Sequence, residues 1–167
     1  NLYPKIIGTR GKPSLKRGIA ELRFLEHLDK ELKGTIFIDM VPQINETENR
    51  NTYNPDFTFI CKTTSLHIDI EIDEPYTLKD KTPIHYIDCS DDKRNEFFLD
   101  NNWGVIRFTE KQIIQNTPEC IETIKSIYHN ILEMNLDYST DLNNEPRWTY
   151  EESFIMQNNR HRESYLS

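Results

Sequence analysis

Residues 66–73 read Leu-His-Ile-Asp-Ile-Glu-Ile-Asp, and their strict alternation constrains the fold more than any other stretch of the chain. Successive side chains of a strand point to opposite faces, so Leu66, Ile68, Ile70 and Ile72 share one face and His67, Asp69, Glu71 and Asp73 the other. Neighbours on one face lie about 6–7 Å apart. Three carboxylates in such a row repel one another unless water or a cation separates them, and a divalent metal with hard oxygen ligands is the obvious cation. A polar outer face is also the ordinary pattern of a half-exposed antiparallel sheet, with the acids merely solvated. Against that bland reading stands the row itself, unrelieved by Lys, Thr or Ser. Asp56 lies ten residues upstream of Leu66, inside the β-prone run Tyr-Asn-Pro-Asp-Phe-Thr-Phe-Ile. A hairpin of the two runs brings Asp56 to the same face. Acids on adjacent strands suit metal-dependent phosphodiester hydrolysis.

The chain has 167 residues, enough for one domain with its own core. Aromatic residues make up 11% of it, which argues against disorder despite a polar composition. No apolar run approaches the roughly 18–20 residues that span a membrane, and the N-terminal segment has no signal-peptide pattern. The first residue is not Met, which suggests a domain of a longer protein. Cys61, Cys89 and Cys120 are widely spaced, match neither a disulfide framework nor a zinc site, and point to reduced thiols and a cytoplasmic location. The net charge of −8 argues against a nucleic-acid partner. Residues 1–34 depart from it, with eight bases (Lys5, Arg10, Lys12, Lys16, Arg17, Arg23, Lys30, Lys33) against four acids (Glu21, Glu26, Asp29, Glu31). That end can touch phosphates.

Residues 1–14 read as a basic lead-in, 15–134 as the core domain, and 135–167 as a linker and C-terminal helix. Ser14 suits the N-cap of a helix over 15–33, with Leu15, Ile19, Leu22, Leu25 (or Phe24) and Leu28 on its buried face. Residues 35–41 form a β run and 42–52 a polar loop. A long loop over 75–92 leads into a helix near 92–101 and a strand over 103–108. Thr109-x-x-Gln112 and Thr149-x-x-Glu152 have capping-box spacing. Thr117 is the expected cap of a helix to Met134, with Pro118 at its first position, and the second capping box opens a helix over 150–165. The order is α-β-β-β-α-β-α, then a tail helix.

With these motifs in that order, the chain resembles the PD-(D/E)xK nuclease superfamily. It looks most like the branch related to very-short-patch-repair endonucleases. Pro55-Asp56-Phe57, Ile70-Glu71-Ile72-Asp73, Asp91-x-x-Arg94 with Phe98-Leu99, and Asn102-Trp103-Gly104-Val105-Ile106-Arg107-Phe108 correspond to its four motifs, over roughly residues 15–134. The resemblance implies an α/β, restriction-endonuclease-like core with a mixed central sheet, to which the C-terminal helix is an addition. It also implies a Mg²⁺-dependent (or Mn²⁺-dependent) nuclease acting on nucleic acid, DNA above RNA, within a larger prokaryotic defence, repair or mobile-element protein. Asp73 stands where the superfamily usually has lysine, as it does in the related branch. Glu74-Pro75-Tyr76 replaces the Gly and nearby His of that branch, so the next histidine is His85.

Asp56 and Glu71 are then the expected metal ligands, with Asp73 as a further ligand or proton acceptor and Glu21, on the first helix, as the next candidate acid. Arg94, His85 and Lys93 are candidates for the substrate phosphate, and Lys79 is a second lysine that can supply the missing positive charge. Arg107, in an apolar strand, should pair with an acid near the site. Asp69 reads as structural or solvent-facing. The competing reading is a catalytically inactive nuclease-like module that binds nucleic acid or a protein, favoured by Asp73 and the net charge and opposed by retention of both Asp56 and Glu71.

Overall fold

The computed structural model describes residues 3–14, 16–43, 53–132 and 142–167. The fold is α/β. Two sheets and six helices are present among the described residues, in the order β1 (Gly8–Arg10), α1 (Ile19–Glu31), β2 (Ile36–Phe37), β3 (Met40–Pro42), β4 (Phe57–Ile60), β5 (His67–Asp73), α2 (Ser90–Asp100), β6 (Gly104–Thr109), α3 (Glu110–Gln115), α4 (Thr117–Ile131), α5 (Tyr150–Asn158) and α6 (His161–Leu166). The main sheet is mixed and runs β2-β4-β5-β6, while β1 and β3 form a separate antiparallel pair. β2–β4 and β4–β5 are antiparallel, with Phe57 opposite Ile70 and Ile60 opposite His67. No helix among the described residues is long and apolar enough to cross a membrane.

The chain divides into two compact units, Asn1–Glu71 with Ser90–Arg107, and Ile72–Cys89 with Phe108–Ser167. In the first, Phe24 and Leu28 of α1, Phe57 and Phe59 of β4, Ile68 and Ile70 of β5, and Phe98 and Trp103 are buried. Phe24 meets Phe57 edge-on at 5.8 Å, an arrangement that adds to the energy of burial alone. Gly104 faces Ile68 so closely that a Cβ there would lie 3.2 Å from its side chain, which is why β6 opens on glycine. In the second unit Tyr76, Ile113, Cys120, Ile121, Ile124 and Trp148 are buried. The C-terminal segment is part of that unit: Tyr165 and Arg162 of α6 are buried and bonded to Glu110 of α3.

Several local expectations change. Helix α1 begins at Ile19 and not at 15; Gly18 precedes it, and the Gly18 amide donates to Glu21 Oε1 at 2.9 Å. Ser14 instead donates its hydroxyl to the Lys16 carbonyl and its amide to Asp39. Leu15 lies outside the described residues. The buried stripe is Ala20, Phe24 and Leu28, at steps of four, leaving Ile19 and Leu22 54% and 53% exposed. The single β run over 35–41 is two strands in different sheets, because Asp39 has φ +56 and breaks the extended chain.

Helix α4 is preceded by Asn116, not Thr117, whose buried hydroxyl donates back to the Ile113 carbonyl. Helix α4 ends at Ile131 with Leu132 as its C-cap; 133–134 of its expected span, most of the 42–52 loop, and 135–141 of the linker lie outside the described residues. Both capping boxes form. The final helix, however, is interrupted at Arg160, in the left-handed region with φ +51. The Arg162 amide and guanidinium beyond the break bond to Tyr76, so tertiary contacts override helix continuity.

Candidate active site

Every residue of β5 is buried, on both faces. Leu66, Ile68, Ile70 and Ile72 supply one side of the apolar packing, as the alternation requires. The charged face is not solvated: Asp69 is fully buried, and Glu71 is 4% exposed. Of the two readings of Asp69, structural or solvent-facing, burial leaves the structural one. Burying carboxylates is costly unless cations and hydrogen bonds compensate, and here the compensation comes from α2 and β6.

Arg94 of α2 is the main partner. Its guanidinium bonds to Glu71 Oε1, lies 3.3 Å from Asp69 Oδ1, and donates to the Asn54 carbonyl at 3.0 Å. It also stands over the Phe98 ring, 5.5 Å from the centroid. The cation proposed for a substrate phosphate is therefore engaged with two carboxylates. Asp91, one turn earlier, accepts from Arg107 Nη2 at 3.0 Å, and Arg107 Nη1 donates to Asn95 at 3.0 Å. The Asp-x-x-Arg spacing thus places an acid and a base on one helix, each meeting a partner of opposite charge on a strand. Lys93 on the same helix is exposed.

Asp56 stands immediately before β4, one step beyond the Phe57–Ile70 register pair and so opposite Glu71. Its amide donates to Glu71 Oε1 at 3.1 Å. Burial pushes the Glu71 carboxyl well above its ordinary value; the nearby charges of Asp69 and Asp56 push it further, and Arg94 only partly offsets them. Burial likewise raises Asp69, against the pull of Arg94 and Arg107. Burial opposes the charge on Arg94 too, but Glu71 and Asp69 outweigh it and raise its pKa. Three carboxylates here have more negative charge than Arg94 neutralises.

Glu21 has a different local duty. One oxygen takes the Gly18 amide and the other lies 3.3 Å from Arg17 Nη1, so it caps its own helix. It nonetheless lines the same cavity as Asp56, a space of about 460 Å³ in the first unit. His67 is held by the Ser65 carbonyl through Nδ1 at 2.7 Å and packs on Trp103; burial lowers its pKa. Both contacts make it a structural residue.

In the second unit, Asp73 ends β5 and is 5% exposed. His85 Nδ1 lies 3.6 Å from Asp73 Oδ1, and its Nε2 lies 3.5 Å from Glu74 Oε2. The histidine that the sequence leaves without an assigned neighbour thus adjoins Asp73, with φ +53 at its backbone. Lys79 is exposed in the same unit. Sequence reasoning missed the burial of Asp69, and the only sign was its two-residue spacing from Glu71.

No protein-family model, curated protein or solved structure matches this chain.

Proposed function

We propose that this chain is a divalent-metal-dependent nuclease domain that hydrolyses phosphodiester bonds, with DNA as the expected substrate. The observation that carries this reading is the meeting of half-buried Asp56 and buried Glu71 at the open end of the β4–β5 pair, beside buried Asp69, with the Glu71 carboxyl raised by burial and by the charges of Asp69 and Asp56. All the donors are hard oxygens, which fits Mg²⁺ or Mn²⁺. Asp56 and Glu71 would hold the ion; when bound it supplies Lewis acidity and an activated water. The sheet order β2-β4-β5-β6 after α1, with α2 between β5 and β6, supports a restriction-endonuclease-like core. With β1 and β3 set apart in their own sheet, it follows the α-β-β-β-α-β-α order read along the sequence. Within this reading Asp73 is a further ligand or a proton acceptor, His85 and Lys93 are candidates for phosphate contacts, and the cytoplasm is the expected location. Arg94, bonded to Glu71 and Asp69, contacts phosphate only after releasing them.

The inactive-module reading rests on one observation: the Arg94 guanidinium already occupies the space beside Glu71 and Asp69 where positive charge is needed. Incubating the protein with supercoiled plasmid and single-stranded oligonucleotides in Mg²⁺, Mn²⁺ or EDTA separates the two. A nuclease cleaves in metal and not in EDTA. Asp73→Lys probes the substituted position further: cleavage is expected to be abolished if Asp73 binds metal or accepts a proton, and preserved if it merely fills the lysine's place. Absence of cleavage with every metal on either substrate would support the inactive module.

A further inference from the structure

The cavity beside Asp56 has a second wall that the nuclease reading leaves unused. Residues Gly11, Lys12, Ser14, Lys16 and Arg17 line it together with Asn54, Pro55 and Asp56. Asp39 organises that wall. The Gly11 amide donates to the Asp39 carbonyl at 2.6 Å, the Ser14 amide to Asp39 Oδ1 at 2.8 Å, and Arg17 Nη2 to the same oxygen at 2.6 Å. β1 pairs with β3 immediately before this stretch, Arg10 opposite Met40. A Cβ on Gly11 would lie 2.9 Å from Val41 Cγ1, so the lead-in approaches β3 as closely as glycine permits. Arg17 is consumed by Asp39 and Glu21. Lys12 and Lys16 differ: both are exposed, and neither side chain makes an ion pair among the described residues.

We propose that this wall is a cradle for the sugar-phosphate backbone of nucleic acid, with Lys12 and Lys16 contacting phosphates and Asp39 positioning the loop that carries them. The proposal rests on the nuclease reading for its ligand. Two lysines held on a pinned loop bind phosphate as point charges. Asp56, in the lining of the same cavity, is one of the two acids to which that reading assigns the metal. A strand lying in the cavity has its flanking phosphates neutralised by lysine and one phosphate presented toward Asp56. Phosphate contacts of this kind set position without reading sequence.

Salt dependence tests it. Binding of fluorescein-labelled single-stranded and duplex DNA is followed by anisotropy in EDTA, across a KCl series, for the wild type, Lys12→Ala/Lys16→Ala, and a control of equal charge change, Lys30→Ala/Lys33→Ala. Each lost phosphate contact lowers the slope of log K against log salt by about 0.7 on single strands and about 0.9 on duplex. The cradle variant is expected to lose about 1.4 in slope on single strands or about 1.8 on duplex, the control near zero, and the strand type whose loss reaches its own two-contact value identifies the bound form. Asp39→Ala sharpens the test. It removes an acid, which alone would strengthen DNA binding, yet it should weaken binding because the loop loses its anchor. Equal loss in both lysine variants, stronger binding by Asp39→Ala, or no DNA binding by the wild type overturns the cradle. Thermal melts with and without Mn²⁺ verify that each variant is folded and keeps its metal response. The expected binding pattern without cleavage in any metal would retain the cradle and overturn the nuclease reading; cleavage with the wrong binding pattern would do the reverse.

Discussion

Among the described residues, an arginine holds buried carboxylate in each compact unit, Glu110 in the second and Glu71 with Asp69 in the first. In the second unit Glu110 receives Arg162 Nε and Nη2, both at 2.6 Å, and the Tyr165 hydroxyl at 2.9 Å. Arg162 Nη1 goes to the Tyr76 carbonyl at 2.5 Å. Glu110 takes the close contacts of one guanidinium, whose Nη2 also lies 3.8 Å from Oε1 of the partly exposed Glu74, and the remaining donors find neutral acceptors. In the first unit Arg94 is shared between Glu71, Asp69 and a carbonyl, while Asp56 adds its charge beside them. The balanced pair has geometry suited to joining α6 to α3 and no charge left for a ligand. The unbalanced one keeps a standing demand for positive charge. A buried pair does not by itself indicate stabilisation; the count of acids against bases around it distinguishes a structural joint from a candidate metal site.

The largest effect should come from breaking the balanced pair. Arg162→Ala leaves Glu110 buried without its cation and is expected to cost about 3–5 kcal/mol of stability, measured by urea unfolding. The matching change in the other network, Glu71→Ala, should lower the rate of metal-dependent cleavage by at least about 100-fold, equivalent to about 2.7 kcal/mol. It should leave stability without metal unchanged or raised, because it removes charge from a crowded cluster. Were Glu71→Ala to unfold the protein as Arg162→Ala does, the two networks would be of one kind and the contrast would fail. Tyr165→Phe deletes one hydrogen bond to a charged acceptor and should cost about 1.5 kcal/mol in the same unfolding assay, with cleavage unaltered.

The smallest effect is a slope with pH. Burial, then Asp69 and Asp56, raise the Glu71 carboxyl above its ordinary 4.5, so the folded protein binds a proton that the unfolded chain has released. This contribution to stability is fully present below the unfolded value and is lost as pH rises through the folded one. Metal-free stability should therefore fall across that window, by at most about 1.4 kcal/mol per pH unit for one group. Glu71→Gln should flatten the curve when unfolding is compared at pH 4.5, 6 and 7.5. An unchanged slope would remove Glu71 as its source.

The alternation in 66–73 and both capping boxes were legible because their causes are local: a period of two, and side chains reaching three residues along the chain. The same local logic reached Arg107, whose isolation in an apolar strand called for an acid and found Asp91. Burial of the charged face of β5 was not legible, because it depends on Arg94, twenty-five residues from Asp69 in sequence. The division of 35–41 by Asp39 rests on bonds from Gly11, Ser14 and Arg17, and the interruption at Arg160 on Tyr76. Neither place carries Gly or Pro to mark it.

The alternation of β5 also matters before the chain has folded. Eight residues, 66–73, with four isoleucines or leucines, no Pro and no Gly make a segment able to stack on copies of itself as a cross-β assembly. In an unfolded chain its three carboxylates are solvated and ionised at neutral pH, and stacked copies would bring like charges into register. The acids that crowd the folded site therefore act as gatekeepers against self-association during synthesis and refolding, a second pressure on the composition of this strand that is independent of any metal.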